Sequence, residues 1–298
     1  IIPSASYGIN TIAANLDLKQ GDQILVMEDQ FPSNYYPWYE KAKDCGASLK
    51  VVKRPENNDW TTAIINSLDE KVRLAALANV HWTDGTLIDL TKISVVCKQH
   101  DILLSADLTQ SLGAMPFSVK EADVDFAVAA GYKWLLGPYS LGYMYVKKSH
   151  QQMRPLENNW INRAKSDEFS LLVEYTDEFQ AGAKRFDVGE RSNFFLTPIA
   201  AAGLTQILDW GVDTISAYSG DLTSYLATEL SGSDIKIADA QFRCPHIIGL
   251  YTERVIESVD VLKQANIFVS IRGKSIRVSP HLYNDRADID RLLEILKQ

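Results

Sequence analysis

Cysteine is scarce in this chain. Cys45, Cys97 and Cys244 are the three in 298 residues, widely separated and odd in number, so they cannot form a disulfide framework or a CxxC metal site. That usage suits a reducing compartment, and a cytoplasmic location with no bound metal is expected. No block of Lys or Arg occurs, and 30 basic side chains face 38 acidic ones, for a net charge of −8 and a pI near 5.2. Nucleic acids and anionic membranes require a concentrated positive field, so neither is expected as a partner. Apolar runs long enough to span a bilayer, a charged-then-apolar leader and N-x-S/T acceptors are all missing. So are GxGxxG and GxxxxGK[ST], which weakens a nucleotide-binding assignment. The chain opens at Ile1 without a methionine, already inside an apolar stretch, and an N-terminal piece ahead of it is expected.

What is present is an apolar share of 46% against 23% charged, on a length that allows a large core and more than one domain. Short β-branched runs read as strands over Gln23–Glu28, Ser48–Arg54, Leu74–Val80, Ile102–Asp107, Phe126–Gly131 and Gly142–Lys147. Helical spacing separates them at Asn34–Cys45, Thr61–Leu68 and Asp89–His100. That alternation predicts an α/β fold with a mainly parallel sheet covered on both faces. From Arg154 to Ala183 the chain is polar and weakly periodic, as expected of excursions over a cleft or a subunit contact. A long apolar helix is predicted over Phe194–Trp210. A helix at Thr214–Leu230, strands in His246–Thr252 and Phe268–Ser279, and a last helix over Arg286–Lys297 then suggest a small α+β domain. The expected division is 1–193 for the large domain and 194–298 for the linking helix and small domain.

Ligands of open α/β sheets sit at the carboxyl ends of strands, where three positions stand out. ILLSAD closes on Asp107, with Gln110 three residues on, and FAVAAGY closes on Lys133. The surroundings of Lys133 are apolar (Tyr132, Trp134, Leu135, Leu136), with a tight turn at Gly137-Pro138. A desolvated lysine loses its proton readily and can attack an aldehyde as an amine. A lysine laying its stem over apolar surface fits the pattern equally well. Ser4 and Ser6 sit before an apolar helical stretch, where serine commonly caps a helix whose N-terminus can hold an anion.

Asp107-Leu-Thr-Gln110, a lysine 26 positions after that aspartate, and Tyr132-Lys-Trp-Leu-Leu-Gly-Pro138 together resemble the class V aminotransferase family. PSASYGIN, EDQFPSNYYPW, RFDVGE and IRVSPHLYN extend the likeness over nearly the whole chain. The resemblance implies the aspartate-aminotransferase fold (fold type I) and pyridoxal 5'-phosphate (PLP) as cofactor. It assigns the Schiff base and the later proton shuttle to Lys133, the pyridine nitrogen to Asp107 and the phenolic oxygen to Gln110. The phosphate falls to Ala5 and Ser6 at the helix start, with Tyr132, which stands where desulfurases have histidine. Ala130 replaces a serine they often carry. Phe31 aligns with the group that stacks on the ring, although a strand-end phenylalanine also packs cores. His81 is placed beside the cofactor, as a base or as a structural histidine, and Trp82 forms a substrate wall. Arg277 is the match for the arginine that pairs with the substrate α-carboxylate, and Arg272 is a second candidate. Glu190, Arg191 and Ser192 align with a segment that reaches a neighbouring subunit's phosphate, so a homodimer with shared sites is implied.

A cysteine desulfurase needs a nucleophilic thiolate shortly before the carboxylate-binding arginine, and no cysteine lies between Thr252 and Arg277. Three functions remain: a class V aminotransferase acting on an amino acid, an epimerase or C–S/Se lyase working without a catalytic cysteine, and a non-catalytic relative serving as a binding module. Retention of Lys133, Asp107, Gln110 and Arg277 as a set argues against the last.

Overall fold

A computed structural model describes residues 1–253 and 255–297. Its main sheet holds β1 (Gln23–Met27), β2 (Ser48–Val52), β3 (Val72–Ala78), β4 (Leu103–Asp107), β5 (Phe126–Ala130) and β6 (Gly142–Val146). Their order is β2-β1-β3-β4-β5-β6. The first five run parallel and β6 is antiparallel to β5. Around it lie α1 (Ala5–Asn15), α2 (Tyr36–Cys45), α3 (Trp60–Ile65), α4 (Leu90–Gln99) and α5 (Val119–Ala122). Alternate side chains of each strand point to opposite faces, and here both faces are covered. Leu25, Met27, Ala75, Leu77, Leu104, Ala106, Ala127 and Ala129 form one buried layer with residues of α3 and α4. Ile24, Val26, Leu74, Ala76, Phe126 and Val128 form the other with Ile9, Ile12 and Trp38. This two-sided burial is why the strands read as continuous apolar runs.

Local chemistry sets where the helices begin. Ser4, Asp59 and Asp89 accept N–H bonds from the first turns of α1, α3 and α4, satisfying donors that helix ends otherwise leave unpaired. The helix predicted from Asn34 is split: Pro32–Asn34 makes a tighter turn, and α2 starts only at Tyr36 with Pro37 near its N-terminus.

A second sheet holds β7 (Ile248–Tyr251), β8 (Ser270–Arg272) and β9 (Ser275–Val278), antiparallel in the order β7-β9-β8. The run Phe268–Ser279 is thus a hairpin, turning at Gly273, whose φ is +57°. Helices α6 (Leu196–Trp210), α7 (Val212–Glu229), α8 (Val255–Gln264) and α9 (Arg286–Leu296) complete this part. Ile248, Leu250, Ile276 and Val278 pack against Leu222, Leu226, Leu292 and Leu293. α8 has no counterpart among the expected elements. Four of its ten residues are β-branched, which lowers helix propensity, and tertiary packing overrides that through the buried Leu262. No helix among the described residues is long and apolar enough to cross a membrane.

Candidate active site

The parallel strands β1, β3, β4 and β5 are neighbours, so their carboxyl ends lie side by side, and each delivers a polar or aromatic group to one place. Phe31 follows β1, His81 and Trp82 follow β3, Asp107 ends β4 with Gln110 just beyond, and Lys133 follows β5. These residues, with Ser4, Ala5 and Ser6 at the start of α1, line one cavity of about 280 Å³ together with Ala130, Tyr132 and Tyr139. Of the site residues expected from the sequence, Arg277 and the alternative Arg272 lie off this wall, on the small sheet beside it, and Glu190, Arg191 and Ser192 do not line the cavity either.

Lys133 is half-buried, and its ammonium lies 5.3 Å from the centroid of the Phe31 ring and 5.9 Å from that of Tyr132. Burial pulls its pKa down; the Asp107 charge opposes that, and Arg277 and Arg272 add to the depression. Asp107 moves the other way, because its burial penalises the carboxylate while a hydrogen bond from Thr109 N–H (2.9 Å) and the charge of Lys133 favour it. No basic side chain pairs with Asp107 among the described residues. Thr109 also accepts from Ala130 N–H through its hydroxyl (3.1 Å), locking the end of β4 to the end of β5.

Ser4, rather than Ser6, caps α1: its Oγ accepts from Tyr7 N–H at 3.2 Å and lies 2.9 Å from Ser6 Oγ. Trp134 Nε1 donates to Gln110 Oε1 at 3.3 Å. Tyr132 stacks on Tyr139 with ring centroids 4.1 Å apart. Phe31 meets Trp82 edge-on at 5.3 Å. Trp82 is held at three points: its Nε1 donates to Asp29 O (2.6 Å), its carbonyl accepts from Arg277 Nη1 (2.8 Å), and Arg272 lies over its ring at 5.6 Å.

His81 lines the cavity but has no ring nitrogen to spare. It is 1% exposed, Nε2 lies 3.0 Å from Glu28 O and Nδ1 lies 2.7 Å from Thr83 Oγ1, and the ring stacks on Trp60. Burial pulls its pKa down, which keeps the imidazole neutral. Arg191 is tied within its own chain, to Asp187 at 2.9 Å.

The sequence left one network unread. Asp84 accepts from Arg54 Nη1 and from Tyr251 OH, both at 2.5 Å, and from Thr86 N–H and Oγ–H. Tyr251 belongs to β7, so this buried carboxylate joins the 81–86 loop to the small sheet. The available signal was Arg54 at a strand end with Asp84 just past another; their meeting depends on strand order, which the sequence does not state.

Asp107, a desolvated lysine amine, an aromatic face and a serine-rich helix N-terminus in one cavity fit a phosphorylated pyridine aldehyde. The family model described as class V aminotransferase matches residues 2–292. The chain belongs to that family. Class V members are PLP-dependent enzymes of type I fold, and the mixed α/β architecture here is of that type. An uncharacterized aminotransferase of Bacillus subtilis is 24% identical over 99% of this chain and 77% of its own length. A cysteine desulfurase of Escherichia coli is 30% identical over 77% of the chain, and a kynureninase of Shouchella clausii 28% identical over 78%. In both of these the match spans 56% of the relative's length. Among solved structures, the cystine C-S lyase C-DES in complex with cysteine persulfide superposes with a TM-score of 0.86 at 21% identity, over 99% of this chain and 80% of that one. A ureidoglycine-glyoxylate aminotransferase of Bacillus subtilis gives 0.68 at 17% identity, over 100% of this chain and 79% of that one. At these identities the structural likeness concerns the fold.

Proposed function

We propose that this class V family member is a PLP-dependent enzyme acting on an amino acid, with transamination as its reaction. The observation that carries the proposal is the place of Lys133: an amine whose proton is weakened by burial, against an aromatic face, in the same cavity as a buried carboxylate. When bound, the cofactor supplies an aldehyde for imine formation and an electron sink for the electrons released at the substrate α-carbon. Lys133 would hold that aldehyde and, once free, would take the proton from the substrate α-carbon and pass it to the carbon of the former aldehyde, a transfer that a depressed amine pKa favours. Asp107 would hold the pyridine nitrogen protonated, and Gln110 would donate to the ring's phenolic oxygen. Phe31 would cover the ring, while Ala5, Ser6 and Tyr132 would hold the phosphate at the α1 N-terminus. Arg277 takes the α-carboxylate, with Trp82 as the adjoining wall.

Desulfuration through a protein thiolate does not suit this site. No cysteine lines the cavity, and burial pushes the Cys97 and Cys244 thiols up to about 12. Epimerisation with a second base is disfavoured by the fully engaged ring of His81. A lyase expelling a β-substituent needs only the residues named above and is the second reading. The large unit, 1–193, holds the cofactor in this scheme, and 194–298 brings the arginines.

A homodimer accompanies the proposal. Tyr175, Phe194 and Phe195 are 97%, 90% and 81% exposed, apolar surface of the kind that a second copy would cover. Light scattering giving twice 33.3 kDa supports it, and 33.3 kDa overturns it. The three unpaired thiols suit a reducing, cytoplasmic setting; a thiol titration giving fewer than three under non-reducing conditions would contradict that.

The test of the activity is the absorption spectrum of the protein with PLP, beside Lys133→Ala. A visible band that borohydride abolishes and the variant lacks, and that shifts on adding amino acids, is expected. Absence of both band and PLP binding in the wild type overturns the enzyme assignment and favours the binding module.

A further inference from the structure

Antiparallel pairing gives the small sheet two unlike faces. Ile248, Leu250, Ile276 and Val278 turn to the helices. Register places Gly249 opposite Arg277, Arg277 opposite Ser270, and Ser275 opposite Arg272, so Arg272 and Arg277 share the other face, which turns to the 81–86 loop. Gly249 marks how tightly the two meet, since a Cβ there would lie 2.5 Å from Asp84 Cβ.

What sets these two arginines beside the cavity is that both hold to Trp82, Arg277 through its carbonyl and Arg272 over its ring. Arg54, Arg73 and Arg191 each pair with an aspartate. No described carboxylate pairs with Arg272 or Arg277, and the Nε of each is buried without a hydrogen-bond partner. Arg277 Nη1 is bound to the Trp82 carbonyl and Arg272 Nη1 to its neighbour's carbonyl, Ile271 O. Two half-buried like charges side by side repel, and Arg272 adds to the burial that pulls Arg277 down to about 10. Anions that reach both guanidiniums would relieve that repulsion. Arg277 is joined to Trp82 at the cavity rim, Arg272 lies over the same indole ring, and Lys133 feels the charge of both, that of Arg277 more strongly. A single carboxylate on Arg277 leaves Arg272 unanswered.

We infer that Arg272 is a specificity-determining residue that takes a second carboxylate, so that the substrate is a dicarboxylic amino acid held by Arg277 at one end and by Arg272 across Trp82 at the other. The inference rests on the proposed action on amino acids, but its test does not pass through that chemistry. Succinate carries both carboxylates and no amine, so its binding needs no imine with Lys133. Calorimetry on the PLP-loaded protein would compare succinate with its mono-amide, succinamate, in the wild type and in Arg272→Met. A charge-assisted, bidentate contact predicts succinate binding about tenfold tighter than succinamate in the wild type. In Arg272→Met the two ligands should bind within about twofold of one another, at the affinity of wild type for succinamate. Equal affinities in the wild type, or a preference for succinate that survives in Arg272→Met, would overturn the inference. A protein that binds succinate selectively but shows no visible band would instead sink the enzyme assignment and leave the two-arginine site standing.

Discussion

At Lys133 two pulls compete: burial removes water from the ammonium and lowers its pKa, and the Asp107 carboxylate restores part of what is lost. The sequence made this residue legible because its apolar neighbours and its distance from Asp107 are local facts of the chain. His81 was only half legible. Its partners, Glu28 O and Thr83, lie 53 and 2 positions away, and the first depends on how β1 and β3 pair. His246 was not legible at all. It packs edge-on to Trp134 at 4.5 Å and donates from Nε2 to Gln110 O at 2.5 Å, 136 positions distant, with Nδ1 buried and unpartnered. Burial lowers its pKa from 6.5 to about 4, against the raising effect of the Gln110 hydrogen bond. The unfolded chain therefore takes up a proton below 6.5 that the folded chain refuses until about 4, and stability falls as pH drops through that window. The loss is on the order of 3 kcal/mol at the acid end. Urea unfolding at pH 7 and pH 4.5 should show His246→Gln losing less stability than wild type on acidification. Equal losses would show that the group titrates as an exposed histidine does.

Among the elements, the strands of the main sheet were read from sequence to within one or two residues at most ends, because burial on both faces writes an unbroken apolar run. The helix α8 and the hairpin turn at Gly273 were missed because β-branched composition and a short apolar run do not distinguish a helix or a hairpin from a single strand. The least legible element is the loop from His81 to Thr86, whose conformation answers to residues far away. Gly85 has φ +77°, and a Cβ on it would lie 2.2 Å from Ile247 O, so both backbone conformation and space require glycine. Gly232, at φ +84°, has open space around it. Alanine at 232 should cost about 1–2 kcal/mol, the left-handed backbone alone. Gly85→Ala adds a backbone collision between the loop and the small sheet and should cost at least about 3 kcal/mol by urea unfolding, with weakened PLP binding. Similar costs for the two variants would mean that the loop and sheet are not packed as described.

Over the whole molecule, the cavity is assembled from parts that no single stretch of chain contains, four neighbouring strand ends and the N-terminus of α1, with two arginines of a separate sheet beside it. The order of motifs along the chain pointed to the family, and the family's pattern is the source of the roles proposed. The sequence could not show that Arg54, Asp84 and Tyr251 tie the two sheets together, or that Arg272 and Arg277 are left without carboxylates. Everything proposed about catalysis nevertheless returns to one amine. The most direct test is to load the protein with PLP, reduce it with borohydride, digest it and locate the pyridoxyl group by mass spectrometry. The account predicts a single modified peptide bearing the group on Lys133. Labelling spread over surface lysines, or a single label on another residue, would contradict it.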